Sequence, residues 1–516
     1  MTTYYLAPST ATPAGSDANA GTITAPWLTL AYAYATASAG DTIYLRAGTW
    51  YEGLNALNKA NLTIAGYPGE MAVVNPGKLY AEGGGAGEWS YAGGVWTLVP
   101  GDLTGPDNTV GLIRTDGYAI PRMASAALVT GDPGSPMSTA DDRFYWDIAT
   151  DTITLNLQSG SNPATQVYVV DGTRRLNNTA AGLIIDNLVI QYAYDGVKSS
   201  GTGTIIRNNT IRHTAFQGVL AWGANSYYQN NVIHHIGAPY IYDDLTTWPT
   251  AGTLAVNNWV HGLYVYGANV TVNNNHVSLC TGGALTASNN AASATDPDTM
   301  TVYDNIFLDW VVFSGPGHLL YNNVIVNADA TPGVYAFMYF QGASLTMYHN
   351  YIEGRQGAFI GYYGNTGPVV FKNNIVRAQG GLNAVILGSF TASETFDYAG
   401  SDLDHNSYDC PAGTLTWKLY AAAGGTPVSY TTLASYRAAL QALTGGTDEA
   451  ASLSQNAKLN ASYYPPINSP ARAAGVAVSG QRADASGHPR PNPPSIGPYE
   501  VAGRFAGRRI LLPRGR

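Results

Sequence analysis

Charge is what this sequence has least of. Asp, Glu, Lys and Arg make up 11% of its 516 residues, against about 25% in an average soluble protein. The balance is acidic, with a formal net charge of -9. A basic face for nucleic acid is therefore not expected. Cysteine is scarce too: Cys280 and Cys410 are the only two, too few for a disulfide framework. No apolar run is long enough to span a membrane, so no membrane contact is expected. The opening "MTTYYLAPSTATPAGSD" lacks the basic start and apolar core of a secretion signal. Two routes fit that: a signal removed beforehand, or release by cell lysis, as for phage proteins. There is also no H-E-x-x-H, no P-loop and no Cys/His zinc spacing.

What is present is neutral polarity. Mean hydropathy is -0.07, and the chain holds 59 Gly and 36 Tyr. With Asn, Thr and Ser supplying the rest, this composition suits an all-β protein with many turns. Its neutral, hydrogen-bonding surface suits sugars better than phosphates. The last stretch departs from this. Arg504, Arg508, Arg509, Arg514 and Arg516 lie within 501–516 with no acid among them. They read as a solvated tail or as a docking segment for an acidic neighbour, such as another virion protein.

A repeat runs through the middle of the chain. Asn187, Asn209 and Asn231 are 22 residues apart, and Asn275 follows at 44. Asn305, Asn323, Asn350, Asn374 and Asn406 continue at intervals of 18 to 32. The lines "IIDNLVIQ", "IIRNNTIRH", "SYYQNNVIHH" and "VTVNNNHVS" each read as strand, Asn turn, strand. One such turn cannot bury its apolar side chains alone, so turns stack into a coil. Stacked strands lie about 4.8 Å apart. An inward Asn at one place in each turn then hydrogen-bonds its copies above and below. The pattern predicts a single-stranded parallel β-helix.

A second strand follows in each turn: "DGVKSSG", "QGVLAWG", "HGLYVYG", "GGALTAS". Alternation puts Val197, Val219, Leu263 and Ala284 inside. Lys198, Leu220, Tyr264 and Leu285 then face out, with Ser200, Trp222 and Tyr266 in the next column. "PWLTLAYAYATASAGD" carries helix punctuation at Pro26 and Gly40 and reads as an N-terminal capping helix over an open sheet edge. Residues 432–443 also read as helix. The stretch 87–172 has longer strands and no Asn repeat, so an inserted small β domain is expected there. The expected divisions are 1–86 for the cap and first coils, 87–172 for the insert, 173–430 for regular coils and 431–516 for the closing helix, coil and tail.

These residues resemble the right-handed parallel β-helix proteins of the pectate-lyase-like superfamily. The resemblance rests on "YYLAPS" through "DTIYLRAGTW", on the repeats "IRNNTIRH" and "HGLYVYGANVTVNNN", and on "SPARAAG", "DASGHPRP" and "IGPYE" near the end. It covers nearly the whole chain. It implies work on polysaccharides, by lyases, hydrolases, epimerases or phage tail spikes, and a homotrimer in the tail-spike case. It names no activity, because one fold hosts many.

The chemistry has to be read from clustering. The third position after the repeat Asn holds Arg212 and His234, and the fourth holds Gln191, His213 and His235. The residue before the next Gly is Asp195, Gln217 or His261. Lys198, Trp222, Tyr264 and Tyr266 follow on the outward face. Between His235 and His261 lies "GAPYIYDDLTTWPTAGTLAVNN", with Tyr240, Tyr242, Asp243 and Asp244. It reads as a long loop beside the column or as one more coil. The catalytic candidates are His234, His235, His261, Asp243, Asp244, Arg212 and Lys198. Trp222, Tyr264, Tyr266, Tyr240, Tyr242 and Asp195 are substrate-binding candidates.

A uronate lyase needs a cation on the carboxylate, a base and an acid, and Arg212 or Lys198, a His and Tyr264 could fill those roles. A retaining hydrolase needs two carboxyls about 5 Å apart, and Asp195, Asp243 and Asp244 stand nearest. Plainer readings sit beside these: histidines bonded within turns, Asp243-Asp244 as a solvated loop or helix cap, and outward Tyr and Trp as a subunit interface. No cofactor is expected, apart from calcium as a candidate on Asp243, Asp244 and Asp195. Three functions follow: a virion-surface protein that binds or cleaves bacterial polysaccharide, an extracellular lyase or glycoside hydrolase, and a non-enzymatic structural coil.

Overall fold

The computed structural model describes residues 1–83, 85, 87–101, 103, 110–117, 119–120, 142–147, 149–157, 162–237, 260–287, 299–315, 317–327, 335–340, 344–354, 356–360, 367–378, 383–388, 396–410, 415–420, 425–460, 462–466, 468–481 and 483–500. Two compact units result: Met1–Val265 with Val277–Ala284, and Tyr266–His276 with Leu285–Arg516.

In the first unit each coil contributes three short strands to three parallel sheets. One coil runs Ile205–Arg207 (sheet 1), Thr210–Thr214 (sheet 2) and Val219–Ala221 (sheet 3). The next begins with Tyr227–Gln229 on sheet 1 and Val232–Ile236 on sheet 2, paired in register with the coil below. Val219 pairs directly with Leu263, and Leu220 with Tyr264. No strand of a further coil stands between them on sheet 3; residues 238–259, read as a long loop or as one more coil, lie outside the described residues. The second unit repeats the plan, as in His318–Tyr321, Val324–Asn327 and Tyr335–Phe340.

The Asn ladder is present, with its register corrected. Asn209 Nδ2 donates to Asn231 Oδ1 at 3.2 Å. In the second unit the amides run Asn275, Asn305, Asn323, Asn350, Asn374 and Asn406, each Nδ2 donating to the next Oδ1 at 3.0 to 3.3 Å. Asn187 is not a rung. Leu188 occupies that place, and its N–H donates to Asn209 Oδ1. Asn187 aligns instead with Asn208 and Asn230, all at φ near +55° (54°, 57° and 57°). Asn tolerates this left-handed turn better than most side chains. Leu285, expected outward, is fully buried and pairs with buried Val311.

The helix Leu30–Thr36 is held at both ends by side chains from the coils. Glu52 accepts from the N–H groups of Leu30 and Ala31 at 3.1 and 2.9 Å. Lys59 Nζ donates to the carbonyls of Tyr34, Ala35 and Ala37. Each charge matches the helix dipole at its end. A second helix, Leu433–Thr444, ends at Gly445 with φ 70° and stacks its buried Tyr436 on Trp417.

The described strands between Ser90 and Val170 form two antiparallel sheets. One has four strands, Ser90–Ala92, Val95–Leu98, Arg143–Asp147 and Thr152–Asn156. The other joins Gly111–Arg114 to Ala119–Ile120 and Val167–Val170. Trp89, Trp96, Phe144 and Trp146 fill their core. Ile113 and Val170 then pack on Tyr192, Tyr194 and Ala215 of the coils. The approach is close: a Cβ on Gly111 would lie 2.4 Å from that of Ala215.

In the second unit the closing segment seals a row of turn residues. Arg490 donates to Glu500 and to Asn322, and Asn373 donates to the Val476 carbonyl. Asp304 lies beside this network, and burial raises its pKa to about 6, with the Asn322 amide opposing. A raised carboxyl favours the fold while protonated and costs stability as pH rises through its folded value. Asp304→Asn is therefore expected to raise stability by about 2 kcal/mol at neutral pH and to change nothing below about pH 4. Urea unfolding at both pH values reads this out.

Candidate functional site

The coil geometry sorts the candidate residues by sheet. Arg212 and His234 are register partners on sheet 2. Lys198, Leu220 and Tyr264 are register partners on sheet 3, and Trp222 follows directly after that strand. The corner between these strands carries Tyr194, Ala215 and Phe216, packed against Ile113 and Val170 of the insert. The expected convergence on one face thus divides into two clusters in the first unit. Tyr266 is half-buried in the second unit. Tyr240, Tyr242, Asp243 and Asp244 lie outside the described residues.

The sheet 3 cluster is built over a buried ion pair. Arg175 Nη1 lies 2.6 Å from Asp195 Oδ2, and Asp195 is fully buried. Burial pushes the Asp195 carboxyl up, and Arg175 pulls it back. Asp195 is thus a floor residue, not one that meets a ligand. Lys198 stands above it with a pKa lowered by burial and then by Arg175. Its Nζ sits 5.3 Å from the centre of the Trp222 ring, a cation–π contact. Gln217 Oε1 accepts from the His261 N–H at 2.7 Å. The buried His261 ring stacks on Tyr264 at 5.5 Å and 11°. Lys198, Trp222 and Tyr264 keep partly exposed surface. The cluster offers a cation and two aromatic rings to a ligand.

On sheet 2 the histidines meet the insert. His213 stacks on Tyr192 at 5.6 Å, and its ring lies where a Cβ on Gly117 would be. The Tyr192 hydroxyl donates to the Thr115 carbonyl at 2.6 Å. Burial, then the charges of His235 and Arg212, lowers the His213 pKa to about 4. His213 is thus a neutral prop under the insert. His234 Nδ1 and His235 Nδ1 are 2.7 Å apart. His235 has φ 56°, but so do its periodic equivalents Tyr192 (51°) and His213 (53°), so that backbone is architectural. Gln191 pairs with Arg212, one place earlier than the count from Asn187 suggests.

Sequence reasoning missed Arg175 and Asp116. Asp116 is brought by the insert turn to the charge environment of Tyr192 and His213, and Arg114 holds it. Glu353 stands in the second unit on a column with Arg377 and Asp409, at 3.8 and 3.4 Å. Among the described residues, no group of three or more His, Cys, Asp or Glu is placed to hold a metal ion.

Comparison with known proteins gives the fold. Residues 175–310 match the family model described as right handed beta helix region. No curated protein sequence matches this chain. The structure of XylC with xylose is similar at 14% identity, covering 96% of this chain and 98% of that one, with a TM-score of 0.58. Pectate lyase Pel9A is similar at 13% identity over 97% of each chain, with a TM-score of 0.43. A glycoside hydrolase is similar at 10% identity, covering 82% of this chain and 96% of that one, with a TM-score of 0.42. With its stacked parallel strands and Asn rungs, this chain has a right-handed parallel β-helix fold.

Proposed function

We propose that this chain is a carbohydrate-directed surface protein that grips an acidic polysaccharide on sheet 3 of its first unit. The observation that carries the reading is Lys198 set over Trp222, one coil from Tyr264 on His261. A sugar ring stacks on an aromatic face, and a uronate carboxylate meets the ammonium. XylC, similar in fold, binds xylose. The setting we propose is a phage tail spike or related virion component acting on bacterial surface glycan.

Within the described residues the cluster favours elimination over hydrolysis. A hydrolase needs two carboxyls facing the scissile bond, and Asp195 is buried and committed to Arg175. For elimination, Lys198 neutralises the carboxylate as charge spreads onto it. The Tyr264 hydroxyl lies on the same outward column to move a proton.

The test is a panel of neutral and uronate-containing polysaccharides, read by binding and by ultraviolet absorbance of an unsaturated product. Binding restricted to acidic glycans supports the reading, and indifference to the carboxylate sinks it. Co-purification of the chain with virions tests the setting.

A further inference from the structure

The described strands of sheet 3 in the first unit carry a single fixed cation. Leu54–Leu57, Leu176–Asn178, Val197–Ser199, Val219–Ala221 and His261–Val265 hold one Lys or Arg among them, Lys198. The charges that act on Lys198 are those of Arg175 and Asp195. Those two face each other at 2.6 Å, so the site is left with one net positive charge. The places next to Lys198 are neutral. Its register partners are Asn177 on one side and Leu220 on the other, with Tyr264 one coil further. All four are partly exposed. Asn177 Nδ2 donates to the Asn55 carbonyl and to Asn55 Oδ1, at 2.9 and 3.3 Å. Asn177 Oδ1 accepts no hydrogen bond among the described residues, which leaves it for a sugar hydroxyl.

The sequence extends this pattern. The chain has 25 Lys and Arg, yet none falls between His213 and Gly354. That stretch is not merely poor in charge, because it holds eight acids. It supplies Trp222 and Tyr264 and everything after them up to Arg355. A polymer with a carboxylate on every sugar therefore finds a partner for one carboxylate. Its neighbouring carboxylates are set against amide, leucine and tyrosine, and lose water without gaining a cation. The overall charge of -9 adds repulsion over a longer range.

We infer that the sheet 3 site takes an acidic heteropolysaccharide, in which each uronate stands between neutral sugars, and discriminates against a polyuronate. This rests on the proposal that Lys198 and Trp222 hold a uronate. The lone ammonium selects one carboxylate. Asn177, Leu220 and Tyr264 select uncharged neighbours.

The test is calorimetric titration of the full chain at about pH 7.5, where an ordinary histidine is mostly neutral. The probes are homogalacturonan oligomers of one length, fully esterified, half-esterified and fully de-esterified. A hyaluronan oligomer, whose uronates alternate with neutral sugars, is the fourth. Affinity is expected to peak at half esterification, about tenfold above the fully charged oligomer. Hyaluronan should group with the half-esterified probe. Added salt should narrow the gap, since it screens repulsion between exposed charges. Asn177→Lys sets a second ammonium beside Lys198 and should move the peak to the fully charged oligomer. Leu220→Lys does the same from the other side, should the first variant fail to fold. Asn177→Ala should lower affinity about threefold and leave the peak in place. Affinity that rises steadily with charge would overturn this inference and keep the acidic-glycan reading. Equal affinity for all three esterification states, or no binding to any probe, would sink both.

Discussion

Asn350→Leu is expected to destabilise the second unit by about 3–5 kcal/mol. Asn350 Oδ1 accepts from both the N–H and the Nδ2 of Asn323 at 3.0 Å. Its Nδ2 donates to Asn374 Oδ1, the Leu320 carbonyl and the Tyr348 carbonyl. The site is fully buried, so no water replaces what is lost. Leucine has the same branching and number of side-chain heavy atoms but leaves two donors without that acceptor. Each orphaned buried group costs about 1–3 kcal/mol. The control is Asn274→Gly, which sits in the turn at φ 54° before the rung Asn275. Glycine adopts that φ freely, so this change should stay within about 0.5 kcal/mol. Denaturant unfolding of the two variants separates rung from turn within one Asn doublet.

Trp222→Ala is expected to weaken acidic polysaccharide binding by roughly 30-fold, about 2 kcal/mol. The indole supplies the stacking face and also shields Lys198, whose ammonium lies 5.3 Å from its centre. Lys198→Met keeps most of the side-chain volume and removes the charge. It should cost about as much on a uronate polymer and little on a neutral one. Isothermal titration against both polymers gives the two comparisons. A loss on both polymers for Lys198→Met would show that the lysine serves packing and not the carboxylate.

The fold was legible because its signal is periodic. Alternating strands and recurring Asn need only local reading, and both point to stacked coils. The errors came where Asn serves two purposes. In "NN" doublets one Asn makes the left-handed turn and the next makes the rung, as in Asn208-Asn209 and Asn230-Asn231. In "DN" at 186–187 the Asn is the turn residue, and Leu188 stands at the rung. Counting from Asn187 therefore shifted Gln191 by one place against Arg212.

The site was legible in its column but not in its surroundings. Lys198 and Tyr264 share an outward register, as alternation implies. The burial of Asp195 under Arg175 crosses 20 residues, and the Tyr192 bond to Thr115 crosses 77. No local pattern carries such contacts. The insert was visible only as a break in the repeat. That it props His213 and covers the corner at Ala215 follows from the packing of its strands on the coils. The pair His234 and His235 stands on a different sheet from Lys198 and Tyr264. That position separates it from the sugar platform.

The most direct measurement is a crystal structure of the chain soaked with a uronate-containing oligosaccharide. The account predicts a sugar ring stacked on Trp222, with its carboxylate on Lys198 and its neighbour against Tyr264. A sugar bound elsewhere, with Lys198 and Trp222 untouched, would contradict it.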